Sequence, residues 1–121
     1  MMLGVPPSVK VFLYSQAADL RRGYDGLAAI VKDAMGEDPL SGSLFVFVNK
    51  RGNRIKLLYW DRDGYAIWMK RLESGTLEVP RADDPETSSL KISASELSLI
   101  LEGIELSSVR RRKRFQLRSA G

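Results

Sequence analysis

The side chains most suited by type and spacing to do chemistry are the lysines, arginines and tryptophans of residues 41–80. Successive side chains of a strand point to opposite faces, so Arg54, Lys56 and Trp60 are predicted to share one sheet face with Trp68 and Lys70, opposite a core face. Cations among aromatic rings can neutralise phosphates and stack bases. The predicted nucleic-acid-binding residues here are Lys50, Arg51, Arg54, Lys56, Trp60, Trp68, Lys70 and Arg71. The alternative is a solvated face whose tryptophans are partly covered by a helix or loop.

A second cluster of cations lies near the end of the chain. All 15 acidic residues and 13 of the 19 basic ones fall in residues 1–108, which leaves a charge of +6 on residues 109–121. Uncompensated cations bind phosphates in a salt-dependent way whatever their conformation, so this tail is also predicted to bind nucleic acid. Its candidate residues are Arg110, Arg111, Arg112, Lys113 and Arg114. The alternative is a solubilising tail.

The composition argues against an enzyme. The chain has no cysteine and no histidine, and so lacks the commonest general base and thiolate chemistry. Asp61, Asp63 and Glu73 are the remaining catalytic alternative, but their spacing does not bring them together. Residues 61–64 resemble the start of a calcium loop without its later ligands, whereas Asp-Gly favours a hairpin turn. We therefore predict no catalytic residue, metal or cofactor.

Residues 41–80 also predict the centre of the fold. Runs of β-branched and aromatic residues at 44–48, 55–60 and 65–69 are separated by short glycine-containing turns, and a weaker run follows at 76–79. Such spacing is typical of an antiparallel β-meander, because parallel crossovers need about a dozen residues. Residues 9–14 and 90–92 are predicted to add short strands. The predicted fold class is α+β, with an antiparallel sheet of four to six strands.

Two helices are predicted beside this sheet. From Tyr24 to Met35 apolar residues recur at helical spacing, Gly36 is a plausible C-cap, and Asp19 or Asp25 is a candidate N-cap. A short C-terminal helix is predicted to start at a capping box of Ser93 and Glu96. Its apolar face would comprise Leu97, Ile100, Leu101 and Ile104, with Gly103 near its end. Arginines at 21 and 22 favour either an anion-binding helix entry or a local ion-pair network.

Length and hydropathy predict one domain followed by the basic tail. A chain of 121 residues is long enough for a single core, and we assign residues 1–108 to one domain and 109–121 to the tail. No apolar run approaches the ~20 residues of a membrane span, and the N-terminal residues do not resemble a secretory signal. A cytoplasmic protein without a membrane partner is expected, and its oligomeric state is left open.

Several stretches of the chain resemble a known family. The matching positions are residues 19–28, 41–47, 49–56, Trp60, Asp61, 68–75, Pro80 and 101–105. Together they resemble the small accessory protein encoded by the second open reading frame of IS66-type insertion sequences. The resemblance extends over roughly residues 9–106. The basic tail is not assumed to be general in that family.

The resemblance implies a role in bacterial DNA transposition, as a helper encoded beside a separate transposase. It supplies no catalytic residues, in agreement with the composition. The expected function is therefore a non-enzymatic accessory protein that contacts DNA through basic residues, mostly at phosphates. The alternative is a protein–protein adaptor that binds the transposase or another element-encoded protein, with Trp60, Tyr65 and Trp68 as interface anchors.

Overall fold

A computed structural model of the chain describes residues 4–103, which form a five-stranded sheet and two helices. The elements in chain order are β1 (Val11–Tyr14), α1 (Tyr24–Asp33), β2 (Leu44–Val48), β3 (Arg54–Asp61), β4 (Gly64–Arg71), β5 (Ser89–Ile92) and α2 (Ala94–Leu101). No helix within these residues is long and apolar enough to cross a membrane. The α+β class and both helices are confirmed, and the tail residues 109–121 lie outside the described range.

The sheet is mixed, and its strand order is β4-β3-β2-β1-β5. Strands β2, β3 and β4 form the predicted antiparallel meander. However, β1 pairs with β2 in parallel, so the prediction of a wholly antiparallel sheet is wrong. The physical reason is the connection 15–43, which contains α1 and exceeds the roughly dozen residues that a parallel crossover needs.

Strand β2 lies at the centre of the sheet and is buried on both faces. Its odd-numbered residues Phe45 and Phe47 pack with Leu27 and Val31 of α1. Its even-numbered residues pack on the other face with Leu97, Ile100 and Leu101 of α2. The sheet therefore lies between the two helices, and every residue of β2 is buried.

The ends of α1 differ in part from the prediction. The helix begins after Gly23, which makes no side-chain capping hydrogen bond, so neither Asp19 nor Asp25 is the N-cap. Asp25 lies in the first turn, where its charge suits the helix dipole. Gly36 has a φ of +67° just after the helix, as expected for a terminating glycine.

The predicted capping box of α2 is confirmed. Ser93 Oγ accepts a hydrogen bond from Glu96 N at 3.0 Å, and Glu96 Oε1 accepts one from Ser93 N at 3.1 Å. Gly103, with a φ of +74°, follows the helix end. Ile104 lies outside the described residues.

Residues 76–79, predicted as a weak strand, do not form one. Leu77 instead donates its backbone N–H to Gly52 O at 2.7 Å and buries its side chain in the core on the α2 face. The segment therefore crosses the β2–β3 turn. This backbone hydrogen bond and the buried side chain of Leu77 hold the segment against the domain without strand pairing.

Candidate nucleic-acid interface

The β3–β4 hairpin does not place the two tryptophans on one face. Its two-residue turn pairs Asp61 with Gly64, which sets Trp60 opposite Tyr65 and Trp68 opposite Leu57. Directly opposite residues of an antiparallel pair share a face. Trp60 therefore lies on the α1 face with Arg54 and Lys56, whereas Trp68 and Lys70 lie on the α2 face. The predicted single basic and aromatic face is wrong.

Both tryptophans are partly buried by neighbouring side chains. The Trp60 ring packs edge-on against Tyr65, with ring centroids 5.1 Å apart. Trp68 packs against the core on the α2 face. Each indole is of intermediate exposure and therefore offers a base only part of its ring surface.

The cations, in contrast, do converge. Strand β2 ends, β3 begins and β4 ends at the same end of the sheet, because the three strands are antiparallel neighbours. Exposed cations lie at this end, and we call them the basic end: Arg21, Lys50, Arg51, Arg54 and Arg71. Arg62 lies at the opposite end of the strands, in the β3–β4 turn.

The basic end is built on a well-bonded turn. Asn49 Oδ1 accepts hydrogen bonds from Asn53 N and Arg54 N, both at 3.0 Å. Asn49 Nδ2 donates to Asn53 Oδ1 at 2.8 Å. Gly52 adopts a φ of +72°, which favours glycine. These bonds fix the turn that projects Lys50 and Arg51 into solvent.

Two shallow hollows join in this region. One of about 330 Å³ lies between the segment before α1 and the β2–β3 turn and is lined in part by Arg21, Lys50 and Arg51. The other, of about 360 Å³, is lined in part by Lys56 and Arg71. Leu20 and Arg54 line both hollows, which are therefore adjacent. We call the two hollows together the groove, and its lining contains more cationic than acidic side chains.

Acidic side chains offset part of that charge. Arg71 pairs with Glu73 at 2.9 Å, and both side chains are more than half exposed, so the pair contributes little stability.

Within residues 4–103, no three His, Cys, Asp or Glu side chains are grouped as a metal site.

Arg21 joins the basic end although the strand pattern did not select it. It makes a two-pronged contact with Asp19, in which Nε donates to Oδ1 at 3.0 Å and Nη2 to Oδ2 at 2.8 Å. The Arg21 backbone N–H also donates to Asp19 Oδ1 at 3.0 Å. Of the two interpretations of this segment, the geometry favours the local ion pair, although the remaining Arg21 surface faces the groove.

This ion pair predicts a measurable titration. The side-chain hydrogen bonds from Arg21, helped by its backbone N–H, lower the pKa of Asp19 from 3.8 to about 2. Because the folded pKa lies below the unfolded one, the carboxylate favours the folded state above pH 4, and this contribution is lost as the pH falls towards 2. Arg21→Gln is expected to return the Asp19 pKa towards 3.8, as followed by carbon-13 NMR of the carboxyl group. An unchanged low pKa in the variant would contradict the assigned cause.

Two of the predicted DNA-binding lysines are engaged by backbone carbonyls. Lys56 Nζ donates to Arg22 O at 3.1 Å, which ties β3 to the segment before α1. Lys70 Nζ donates to Leu101 O at 2.7 Å, where a cation suits the negative end of the helix dipole. Sequence reasoning missed both contacts because the partners lie more than 30 residues away along the chain.

A structural role for Lys70 predicts a stability effect. Lys70→Met is expected to lower the free energy of unfolding by about 1–2 kcal/mol, because the variant leaves a helix-terminal carbonyl without its charged donor. Urea denaturation followed by circular dichroism measures the change. Lys91→Met, at an exposed position of β5, is the control and should change stability by less than about 0.5 kcal/mol. Equal effects of the two substitutions would remove the role assigned to Lys70.

Comparisons with known proteins identify the family of the chain. A family model described as "IS66 Orf2 like protein" matches residues 9–111. Uncharacterized protein y4jC of Sinorhizobium fredii (strain NBRC 101917 / NGR234) is 36% identical over 111 residues, 92% of each chain. Uncharacterized protein y4hO of the same strain is 34% identical over 104 residues, 86% of this chain and 88% of the relative. No solved structure matches the chain. The chain belongs to the IS66 Orf2-like family of insertion-sequence accessory proteins.

Proposed function

We propose that the chain assists transposition of an insertion sequence by gripping DNA through the basic end and the tail, without catalysing a reaction itself. The observation that carries this proposal is the convergence of the exposed cations of the basic end, which are Lys50, Arg51, Arg54, Arg71 and Arg21, where β2 ends, β3 begins and β4 ends. The family suggests the process, which is transposition of an insertion sequence. The distribution of positive charge suggests the contact with DNA. No catalytic residue is assigned.

The position of α2 supports joint action of the basic end and the tail. Lys70 Nζ contacts the carbonyl of Leu101, the last residue of the helix, and Lys70 precedes Arg71 of the basic end. The chain therefore leaves α2 beside the basic end. Six residues lie between Gly103 and Arg110, and the seven Cα–Cα steps that join them reach at most about 25 Å. Both groups of cations can thus contact one duplex.

The proposed contacts are to phosphates. Lys50 and Arg51 project from a tight turn as exposed single charges, and the tryptophans that would stack bases are packed against other side chains. Phosphate contacts position a protein on DNA without reading its sequence. We therefore expect strong salt dependence and little preference between sequences.

The experiment is fluorescence anisotropy with a labelled duplex from the end of the element and a scrambled duplex of equal length. The full chain is compared with a truncation that ends at Ser108, at two salt concentrations. We expect salt-sensitive binding of both duplexes by the full chain and weaker binding by the truncation.

Each outcome separates one part of the proposal from another. Binding that survives truncation undiminished would remove the tail from the interface and leave the basic end. Binding lost entirely on truncation would leave the tail alone. No binding by either protein would overturn DNA contact and favour the adaptor, whose anchors would be Trp60, Tyr65 and Trp68.

A further inference from the structure

Strand β4 is a long sheet edge without the usual protection. It has eight residues, its pairing with β3 is continuous from Arg71 to Gly64 and so contains no bulge, and it contains no proline. Natural edge strands are usually short, bulged, or guarded by proline or lysine, because an open edge pairs with other chains. The lysine of β4, Lys70, does not guard this edge, because its Nζ donates a hydrogen bond to the carbonyl of Leu101 at the end of α2.

The other edge of the sheet contrasts with β4. Strand β5 has only four residues and carries an exposed lysine, Lys91. One edge of the molecule is thus blunted as expected, whereas the edge formed by β4 presents apolar side chains. Met69 is 65% exposed, and only two other large hydrophobic residues in the described part of the chain, Leu40 and Tyr24, stand out in the same way.

The direction of the β4 backbone groups follows from one hydrogen bond. Leu72 N donates to Asn53 O at 2.7 Å and continues the β3–β4 register by one pair. Because hydrogen-bonded pairs alternate along an antiparallel ladder, the even-numbered residues of β4 point their N–H and C=O groups towards β3. The odd-numbered residues Tyr65, Ile67, Met69 and Arg71 point theirs outwards. In residues 4–103, none of these four joins a backbone hydrogen bond of a turn, loop or cap.

We propose that this edge binds a second copy of the chain, with the two β4 strands antiparallel around a two-fold axis at Ile67. The two five-stranded sheets then form one continuous sheet. The outward groups of Ile67 bond those of Ile67 in the second copy. Tyr65 bonds Met69 of the second copy, and Met69 bonds Tyr65 of the second copy.

This register is selected by face and by charge. Opposite residues must share a face, so odd-numbered residues must meet odd-numbered ones, which are also those with outward backbone groups. Centring the axis on Ile67 brings Arg71 towards the β3–β4 turn of the second copy, which contains Asp61 and Asp63, so that opposite charges approach each other at both ends. It also sets Met69 against the Tyr65 ring, a favourable sulfur–aromatic contact. A shift of one residue would place odd-numbered residues opposite even-numbered ones and break the backbone pairing.

The first measurement is sedimentation of the full chain over a range of concentrations at about 0.15 M salt. We expect a monomer–dimer equilibrium. Met69→Pro removes one outward donor from each copy, yet it removes no bond to β3 and is compatible with an edge strand. It is expected to weaken dimerisation about tenfold or more, since two hydrogen bonds are lost in each dimer. Met69→Ala keeps the backbone donor and should weaken dimerisation less.

Two further variants keep the test decisive. If Met69→Pro does not fold, Met69→Lys places a guarding charge at an already exposed position and should also weaken the dimer about tenfold. Because the native chain has no cysteine, Ile67→Cys gives one thiol per copy. Paired Cα atoms at a hydrogen-bonded site lie about 5.5 Å apart, within the range of a disulfide. Mild oxidation should therefore link Ile67→Cys into dimers and leave Arg62→Cys unlinked.

Three results would overturn the proposal. The first is a full chain that stays monomeric over the whole concentration range. The second is a dimer that neither Met69→Pro nor Met69→Lys weakens, which would place the interface elsewhere. The third is equal cross-linking of Ile67→Cys and Arg62→Cys. These readouts do not involve DNA, so they are independent of the proposed function.

Discussion

The combined substitutions Lys50→Glu, Arg51→Glu and Arg54→Glu are expected to weaken binding of a DNA duplex about five-hundredfold at 0.1 M salt. Each phosphate contact releases counterions and contributes about 0.9 to the slope of log affinity against log salt, or roughly eightfold in affinity at that concentration. Three lost contacts should also lower the slope by about 2.7. All three side chains are exposed, so the fold should tolerate the change, as checked by circular dichroism.

A second triple variant controls for net charge. Lys32→Glu, Arg62→Glu and Lys91→Glu change the total charge by the same amount at exposed positions outside the basic end. We expect this control to weaken binding far less, because long-range attraction is largely screened beyond about 10 Å at 0.1 M salt. Equal losses in the two triple variants would show that overall charge, rather than the basic end, governs binding.

Phe45→Ala is expected to lower the free energy of unfolding by about 3–5 kcal/mol, the range for a large aromatic side chain removed from a core. Phe45 lies in the central strand, is 0% exposed, and stacks on Phe12 with ring centroids 5.9 Å apart. The variant would leave a cavity between the sheet and α1, on the face that also contains Leu27 and Val31. Against a total stability of about 5–15 kcal/mol for a small domain, this loss is roughly a fifth of the folding free energy at the least and all of it at the most.

Urea denaturation of Phe45→Ala and Phe45→Leu measures this effect. Phe45→Leu keeps most of the apolar volume and should cost about 1.5 kcal/mol or less, as volume-conserving core changes usually do. A loss below about 1.5 kcal/mol for Phe45→Ala would be inconsistent with a tightly packed site. Such a result would contradict the central position of β2 in the fold.

Local signals in the sequence account for the elements that were predicted correctly. The capping box of Ser93 and Glu96 is a four-residue pattern and therefore identifies the start of α2 without any tertiary information. The β2–β3 and β3–β4 hairpins follow from glycine-bearing turns between apolar runs. The stripe of Leu27, Ala28 and Val31 likewise indicated the buried face of α1, and all three residues are buried.

Non-local pairing of strands accounts for the features that were not predicted correctly. The parallel pairing of β1 with β2 depends on how the connection through α1 packs over the sheet, which no short pattern encodes. The exact β3–β4 register was not accessible either, because an Asp-Gly turn centred on Asp63 and Gly64 would set Trp60 opposite Ile67, whereas the turn residues are Arg62 and Asp63 and Trp60 faces Tyr65. The separation of the tryptophans was accessible. Any two-residue turn sets even-numbered residues opposite odd-numbered ones, and therefore places Trp60 and Trp68 on different faces.

The candidate site was predicted in part for the same reason. Lys50 and Arg51 lie in a turn and are exposed wherever the turn lies, so their sequence position was sufficient. Lys56 and Lys70 look equivalent to Arg54 in a strand pattern, yet each donates to a distant carbonyl. Residue type and spacing could not separate cations that hold the fold together from cations that face solvent.

NMR chemical-shift mapping of the nitrogen-15-labelled full chain, titrated with a short duplex, locates the residues that contact DNA. Within residues 4–103, we expect the perturbed amides to be concentrated at residues 19–22, 49–54 and 70–73. We expect the amides of the β3–β4 turn at residues 61–64 to stay unperturbed. Shifts concentrated at that turn or along β5, or no shifts in residues 4–103 despite binding, would contradict DNA contact through the basic end.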